Sequence, residues 1–262
     1  MSVRLTKKAL IVSAFFLSAI CQWAVADTRC QATASTESIQ LARVIDGDTV
    51  ELADGRRVRL VGIDTPEIGY RGEPSEPFAE AARDRLRELV AAGEVRMQMG
   101  TETKDRYGRT LGHLFAADGS NLEARLLAEG LGFALAMPPN LALWSCQQAA
   151  EAVARQLGLG LWSADPIMPV RQLRAGGFAL LRGRITGIDR AGEQLLIELD
   201  GPLVLRLHDA DRAYFADQYP EVWHGREIEV RGWVIERGSR RSGRKPLMLP
   251  LRHPGMLRLL TP

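Results

Sequence analysis

The chain has 262 residues, of which 46% are hydrophobic and 25% are charged. This length excludes a miniature protein that is unable to bury a core of its own, and it allows one large domain or two small ones. The 34 lysines and arginines nearly balance the 32 aspartates and glutamates, so the charge is informative only through its distribution along the chain.

The first 26 residues have the pattern of a secretory signal peptide. Three basic residues precede the apolar run 9–21, and Ala24-Val25-Ala26 then forms a small-x-small cleavage site. The apolar run is short for a membrane span, and Ile20 stands where a lipoprotein signal has a small residue. We therefore expect residues 1–26 to be cleaved and the protein to be exported, either periplasmic or secreted, without stable membrane association.

Charge is distributed unevenly over the predicted exported chain. Residues 27–170 contain 15 basic and 21 acidic residues, a net charge of −6. Residues 171–262 contain 16 basic and 11 acidic residues, a net charge of +5. The two halves are expected to have different tasks, and the C-terminal half is the better suited to contact a polyanion.

Two cysteines, Cys30 and Cys146, remain after removal of the signal peptide. In an oxidising compartment such a pair is typical of a disulfide rather than of a metal site or a nucleophile. No histidine lies near either cysteine in the sequence, which argues against a Cys-His nucleophile. We predict a Cys30–Cys146 disulfide.

Residues 27–37 are expected to form an irregular lead-in to a domain over residues 38–164. Alternating hydrophobic residues and turn signals predict about five strands, with the pair Asp54-Gly55 in one hairpin turn. Helices are predicted at 77–92, 122–129 and 143–157, the last with Cys146, Ala149, Ala150 and Val153 on its inner side. Strands and helices in this order predict a small antiparallel barrel with helices at its ends.

Residues 165–177 are predicted to be a linker, because Pro166 and Pro169 interrupt regular structure. Residues 178–262 then show strand patterns at 178–188, 194–199, 203–207, 227–235 and 246–251, with a short helix near 213–218. This pattern indicates a second small barrel of the oligonucleotide/oligosaccharide-binding (OB) type. The predicted fold class is mainly β with α (α+β), with two barrels in succession.

A strand that ends at Pro66 carries charged residues that a core strand does not need. Arg59 lies within the strand, and Asp64 and Glu67 lie at its end. Asp48 adds a carboxylate from a tight bend earlier in the chain, and Arg109 adds a second guanidinium. Carboxylate oxygens suit Ca²⁺, and arginines donate paired hydrogen bonds to phosphate oxygens. The set is suited to phosphodiester hydrolysis, although each member alone is typical of a turn or a surface ion pair.

Three motifs, in this order, resemble the staphylococcal nuclease (thermonuclease) family. They are Val44-Ile45-Asp46-Gly47-Asp48-Thr49-Val50, Arg59 followed by Asp64-Thr65-Pro66-Glu67, and Asp105-Arg106-Tyr107-Gly108-Arg109. The resemblance extends from about residue 38 to Trp162, roughly half of the chain. It implies a five-stranded OB-type barrel with three helices and a Ca²⁺-dependent phosphodiesterase that cleaves DNA and RNA to products with a 3′-phosphate.

The resemblance also implies a role for each matching residue. Asp48 and Asp64 would be Ca²⁺ carboxylates, Thr65 would add its backbone carbonyl, and Asp46 would be a second-sphere acid. The expected catalytic residues are Glu67 as general base or water-orienting group and Arg59 and Arg109 as the phosphate-binding pair. From this set we expect Glu67→Gln or Arg59→Ala to abolish cleavage with little loss of fold.

The sequence departs from the family pattern at two places. Tyr107 keeps an aromatic ring that can contact a nucleotide, but residues 131–140 lack the tyrosines that family members often carry there. Loss of a stacking ring weakens binding by roughly 1–3 kcal/mol per base. The loop 68–76 is acidic rather than basic. These departures are expected to change the affinity for substrate and the preference for particular bases.

A basic segment lies between two predicted strands of the second barrel. It contains Arg240, Arg241, Arg244 and Lys245, which are suited to a phosphate backbone without base preference. The alternative is a solvated loop, which is what most runs of charge are. His113 is expected to be a packed residue rather than a catalytic one, and the scattered histidines do not have zinc-ligand spacing.

Two functions remain open at this point. The first is an exported Ca²⁺-dependent nuclease that acts on DNA or RNA and carries a C-terminal nucleic-acid-binding domain. The second is a binding protein on a nuclease-like barrel that recognises nucleic acid or another partner without turnover, since a fold alone does not decide activity. A monomer is assumed in both.

Overall fold

The computed structural model describes residues 30–215, 220–238 and 245–260. The predicted signal peptide, residues 1–26, lies outside the described residues. Within them the chain forms two β-barrels in succession, with the α-helices in the N-terminal half, which is the α+β class expected from the sequence. No described helix combines the length and the apolar composition that a membrane span requires.

The N-terminal domain contains eight short strands and three α-helices. The strands are β1 (Glu37–Ile39), β2 (Leu41–Val44), β3 (Thr49–Leu52), β4 (Arg57–Leu60), β5 (Ile63–Asp64), β6 (Val95–Lys104), β7 (Thr110–Phe115) and β8 (Phe133–Ala134). The helices are α1 (Ala79–Ala91), α2 (Leu122–Ala128) and α3 (Trp144–Leu157).

The strands of this domain form a sheet in the order β1-β6-β7-β4-β3-β2. Strands β1 and β2 are separated by Gln40 alone; β1 pairs with β6, and β2 pairs with β3. They act as one bent strand that joins both edges of the sheet, so the sheet closes into a five-stranded barrel. A separate two-stranded pair, β5 with β8, lies beside it.

The helices bury the faces that contact the barrel, and one face differs from the prediction. In α1 the buried residues Ala79, Ala82, Leu86 and Leu89 follow the helical period. In α3 the buried residues are Gln147, Ala150, Glu151 and Ala154, whereas Val153, predicted on the inner side, is exposed. The predicted inner face of α3 was wrong at Val153, because α3 has two barrels to contact and buries polar side chains with partners there.

The C-terminal domain contains seven strands. They are β9 (Met168–Pro169), β10 (Gly177–Arg190), β11 (Gln194–Leu199), β12 (Leu203–His208), β13 (Glu227–Glu236), β14 (Leu247–Pro250) and β15 (Leu257–Leu259). Successive pairings join β10, β11, β12, β14 and β13, and β13 pairs again with β10, which closes a second barrel.

The two barrels have the same strand order. In each, the third strand lies parallel to the fifth, as β4 with β7 and β12 with β14. The fourth strand in chain order closes each ring against the first, as β6 with β1 and β13 with β10. The expected OB-type architecture of both halves is therefore present.

The segment between the barrels is folded onto the second one. Strand β9 pairs in parallel with β10, and a short 3-10 helix, Val170–Gln172, follows it. Val170 and Leu173 are buried in the C-terminal core. Residues 165–177, expected to be a linker, therefore contribute to the packing of the second barrel, because apolar residues alternate with the two prolines.

The predicted disulfide is present. Cys30 and Cys146 are bonded, with a Cα–Cα distance of 5.6 Å and a sequence separation of 116. The bond fastens the lead-in before β1 to the first turn of α3. Residues 27–37 are thus tied to the domain at Cys30 and enter the sheet at Glu37.

Candidate active site

The charged residues predicted to act together converge beside the end of β4. Asp46 and Asp48 lie in the bend between β2 and β3, and Asp64 ends β5. A sharp turn at Gly62, with φ of +88°, connects β4 to β5. A side chain at Gly62 would overlap the amide of Gln147 in α3, so only glycine fits the turn that brings Asp64 to Arg59.

Arg59 is a buried cation at the centre of this group, with 6% of its surface exposed. Its Nη2 lies 2.9 Å from Asp64 Oδ1 and 3.1 Å from Asp48 Oδ2. Its Nη1 donates hydrogen bonds of 2.6 and 2.7 Å to the carbonyls of Leu60 and Ile63. One guanidinium therefore holds the two predicted metal carboxylates together and also fixes the turn between their strands.

Thr65 lies against Asp48. Its backbone N–H donates to Asp48 Oδ2 at 3.0 Å, whereas its buried hydroxyl oxygen, Oγ1, is without a hydrogen-bond partner. Gly47 packs so closely on Thr65 that an added Cβ would lie 2.8 Å from Oγ1. A buried oxygen without a partner, packed against the bend that carries Asp46 and Asp48, indicates a place where a cation or a water molecule completes the bonding.

The carboxylates carry more negative charge than Arg59 neutralises. Burial raises the pKa of Asp64 to about 7, with Arg59 opposing the rise and the negative charge of Asp48 adding to it. Burial and the charge of Asp48 likewise raise the pKa of Asp46 to about 7. A further cation beside these carboxylates would favour their ionised forms.

Glu67 is an exposed residue beside this group of carboxylates. Its pKa is raised, chiefly because the surrounding protein displaces water from one side of the carboxylate, and secondly because Asp48 is negative. Its backbone N–H donates to Glu76 Oε2 at 2.9 Å, and Glu76 N–H donates back to the Glu67 carbonyl at 3.0 Å. This pair of bonds closes the base of the acidic loop 68–76 and holds Glu67 in place.

Arg109 approaches from the turn between β6 and β7. Its Nε donates to Asp105 Oδ2 at 2.7 Å, and its positive charge opposes the rise in the pKa of Glu67. Tyr107 is 68% exposed, and the guanidinium carbons of Arg106 and Arg109 lie 4.8 and 5.6 Å from its ring centroid. The turn thus presents an aromatic ring and cations together.

The donor set fits a hard divalent cation. The described residues contain no ready-made cluster of three or more metal-binding His, Cys, Asp or Glu side chains. Nevertheless Asp48 and Asp64 share a single nitrogen of Arg59, and the side-chain oxygen Oγ1 of Thr65 lacks a partner. The neighbouring acids Asp46 and Glu67 have raised pKa values. Oxygen donors with excess negative charge are the ligands that Ca²⁺ prefers.

Comparison with known proteins agrees with this geometry. A family model for staphylococcal nuclease homologues matches residues 57–164. The chain is 36% identical over 129 residues to the thermonuclease of Staphylococcus intermedius, covering 48% of this chain and 76% of that protein. It is also 34% identical over 142 residues to an uncharacterized endonuclease of Escherichia coli, covering 50% of this chain and 80% of that protein. The chain belongs to the staphylococcal nuclease family.

The family match ends at the junction between the barrels, at residue 164. The C-terminal barrel lies beyond it, so this member of the staphylococcal nuclease family carries an added OB-type barrel. Arg240, Arg241 and Arg244, predicted to bind a phosphate backbone, lie outside the described residues. Lys245 is described: its Nζ donates to the carbonyls of Leu199 and Gly201, both at 2.7 Å, so its ammonium is engaged within the barrel.

Several residues that support the nuclease-family site were missed from the sequence. Glu76 holds the Glu67 backbone, and Gln147 Nε2 donates to the Val61 carbonyl at 3.1 Å beside the Gly62 turn. Glu151 accepts a hydrogen bond from the Ala134 N–H at 2.8 Å. For Gln147 and Glu151 the signal was only a polar residue on the apolar face of a helix, and Glu76 lies in a loop without a recognisable motif.

His113 has the packed role expected for it. It is buried, and its Nδ1 lies 3.0 Å from Glu123 Oε1. Asn121 Nδ2 donates to Glu123 Oε2 at 2.7 Å, and the Leu114 N–H donates to the same oxygen at 3.2 Å. This network joins β7 to α2.

Proposed function

We propose that the protein is an exported, Ca²⁺-dependent nuclease that hydrolyses phosphodiester bonds in DNA and RNA and leaves 3′-phosphate ends. Membership of the staphylococcal nuclease family makes the chain a nuclease, a hydrolase of phosphodiester bonds. Export is supported by the signal-like pattern of residues 1–26 and by the Cys30–Cys146 disulfide, which is typical of oxidising compartments.

One observation carries the Ca²⁺ proposal: a buried group of carboxylates has Arg59 as its only cation within hydrogen-bond distance among the described residues. Asp48 and Asp64 would hold the ion, the Thr65 carbonyl would add a ligand, and Asp46 would act from the second sphere. When bound, Ca²⁺ supplies positive charge for the phosphate and polarises its oxygens.

The chain's own groups would perform the remaining tasks. Glu67, with its raised pKa, would accept the proton of a water molecule whose oxygen attacks the phosphorus. The bond between phosphorus and the 5′-oxygen then breaks, so that the phosphate stays on the 3′ side, and the departing 5′-oxygen takes a proton from solvent water to become a hydroxyl. Arg59 and Arg109 would donate hydrogen bonds to the phosphate oxygens as negative charge develops on them.

Substrate contacts beyond the scissile phosphate would come from Tyr107 and its neighbouring arginines. The exposed ring suits stacking on a base, and this mode of binding has little dependence on sequence. Residues 131–140 contain no tyrosine. Tyr107 would therefore supply a larger share of the base stacking than one ring does in a site with several tyrosines. DNA and RNA are therefore both expected as substrates.

A cleavage assay tests this function. Purified protein is incubated with single-stranded DNA, double-stranded DNA and RNA, each with Ca²⁺ and with a chelator, and the product ends are analysed. Ca²⁺-dependent cleavage to 3′-phosphate ends is expected. Salt-sensitive binding of all three substrates without cleavage would instead support the alternative, a non-catalytic nucleic-acid-binding protein on a nuclease-like barrel.

A further inference from the structure

The strand that ends in Asp64 has a single strand partner among the described residues. β5 pairs with β8, with Phe133 opposite Asp64 and Ala134 opposite Ile63. The Leu135 N–H donates to the Gly62 carbonyl at 3.0 Å, which extends the contact to the turn before β5. Because two residues form a short strand, the direction of the Asp64 side chain depends on how firmly β8 is held.

Both backbone polar groups of Ala134 in β8 are held by side chains. The Ala134 N–H donates to Glu151 Oε1 at 2.8 Å, and the Ala134 carbonyl accepts from Arg231 Nη1 at 3.0 Å. The same Nη1 lies 2.6 and 2.8 Å from the two Glu151 oxygens. Glu151 and Arg231 thus form a charged pair that holds the N–H and the carbonyl of one residue of β8, Ala134.

The members of this pair come from different domains. Glu151 lies in α3 of the nuclease domain, and Arg231 lies in β13 of the C-terminal barrel. The side chains are 6% and 15% exposed, respectively, so water weakens the pair little. The C-terminal barrel therefore extends a partly buried cation to the strand beside the Asp64 carboxylate.

We propose that Arg231 is a positioning residue for the cation site. It acts through Glu151 and the Ala134 carbonyl to fix β8, and through β8 it fixes Asp64 at the distance that a metal ion needs. Residues that support metal ligands from outside typically change metal affinity or activity by about 10–100-fold when they are removed. The inference rests on the proposed Ca²⁺-dependent function, and it gives the C-terminal barrel a part in the active site without substrate contact.

Arg155 offers a matched control. It too forms an ion pair between α3 and β13, with its Nη2 3.0 Å from Glu229 Oε2. Among the described residues no hydrogen bond or ion pair joins Arg155 to β8 or β5; its guanidinium lies over the ring of Trp162. Loss of either arginine therefore weakens the contact between the domains, but only the loss of Arg231 frees the Ala134 carbonyl.

The test compares Arg231→Met, Arg231→Lys and Arg155→Met with the wild type. Ca²⁺ affinity is measured by calorimetric titration with CaCl₂, and kcat and KM are measured on DNA. For Arg231→Met we expect Ca²⁺ binding and kcat each to fall about tenfold while KM changes less than about twofold. In Arg231→Lys the Ca²⁺ affinity and kcat should each fall about threefold, since lysine keeps the charge but not the paired geometry. Arg155→Met should keep both values while its Tm falls.

Each outcome has a definite meaning. Equal Ca²⁺ affinity and kcat in Arg231→Met and Arg155→Met would overturn the positioning role and leave only a contact between domains. If Arg231→Met does not fold, wild-type affinity and kcat in Arg231→Lys would overturn it. A wild-type protein that neither binds Ca²⁺ nor cleaves DNA would instead overturn the proposed function itself.

Discussion

Arg59 forms ion pairs with two carboxylates and donates hydrogen bonds to two carbonyls from a buried position. From the sequence it was expected to contact phosphate, and Arg59→Ala was expected to leave the fold almost intact. The structure changes the second expectation, because Asp48 and Asp64 would remain buried without their cation. The difference could not be foreseen, since burial of a charged strand residue depends on what packs over the strand.

Arg59→Ala is expected to lose cleavage and also stability. In a chelator the free energy of unfolding should fall by about 3–5 kcal/mol, because removal of one partner leaves buried charge uncompensated. Added Ca²⁺ should restore part of this loss by neutralising the same carboxylates. Urea unfolding with Ca²⁺ and with a chelator measures both effects.

Arg57→Ala is the control for that variant. Arg57 lies two residues earlier in β4, is exposed, and contacts Glu51 at 3.6 Å. Its loss should change the free energy of unfolding by less than about 0.5 kcal/mol, as for most exposed ion pairs. If Arg59→Ala were no less stable than Arg57→Ala in the chelator, the electrostatic role of Arg59 would be refuted.

At the scale of elements, the Gly62 turn decides whether β5 reaches the site. Gly62→Ala adds a Cβ at φ of +88°, where it overlaps the Gln147 side chain. Gly55→Ala, in the β3–β4 hairpin, adds a Cβ at φ of +87° with no atom within 4 Å. Both variants carry the backbone strain, of order 1–3 kcal/mol, but only Gly62→Ala adds a steric clash.

We therefore expect Gly62→Ala to be the less stable of the two by about 1–3 kcal/mol. It should also lose most cleavage, since the turn carries Asp64, whereas Gly55→Ala should cleave at close to the wild-type rate. Thermal unfolding and initial cleavage rates of the two variants provide the comparison. Equal losses in both would mean that Gln147 moves aside without cost.

Most elements were predictable because their signals are local. The Asp54-Gly55 turn, the extent of α1 and the strands of the second barrel follow from spacing of apolar and turn residues. The face of α3 was not predictable in the same way, because Gln147 and Glu151 are buried by partners 86 and 80 residues distant. A periodic pattern shows which residues are apolar, but not which polar residues find partners.

At the scale of the molecule, Glu229 is a centre of charge between the barrels. It accepts from Arg155 of α3, from Arg182 of β10 and from Arg258 of β15. Burial tends to raise the pKa of Glu229, but the hydrogen bonds from Arg182, Arg258 and Arg155 outweigh it and lower the pKa to about 2. Sequence analysis did not find this cluster, because its members come from two domains.

The lowered pKa predicts a specific dependence of stability on pH. Since the folded pKa lies below the unfolded value of 4.5, ionised Glu229 stabilises the fold above pH 4.5 and this contribution is lost as the pH falls toward 2. Its partners are partly exposed, so we expect a contribution of about 1–2 kcal/mol at pH 7.

Urea unfolding of the wild type and of Glu229→Gln, from pH 7 down to pH 2.5, measures that contribution. The wild type should be the more stable at pH 7, and the gap between the two proteins should close as Glu229 is protonated. The difference between the proteins isolates Glu229 from other acids that titrate in this range. A gap that is constant over the range would contradict the lowered pKa.

The most direct test of the proposed catalytic centre is the effect of Glu67→Gln on cleavage and on Ca²⁺ binding in the same samples. Glu73→Gln, an exposed acid of the neighbouring loop, is the control. Glu67→Gln should lower kcat by about 10²–10⁴-fold while Ca²⁺ still binds, because the amide does not accept a proton from water. Glu73→Gln should cleave like the wild type. Cleavage by Glu67→Gln at the wild-type rate would contradict the role of Glu67 as the group that activates water.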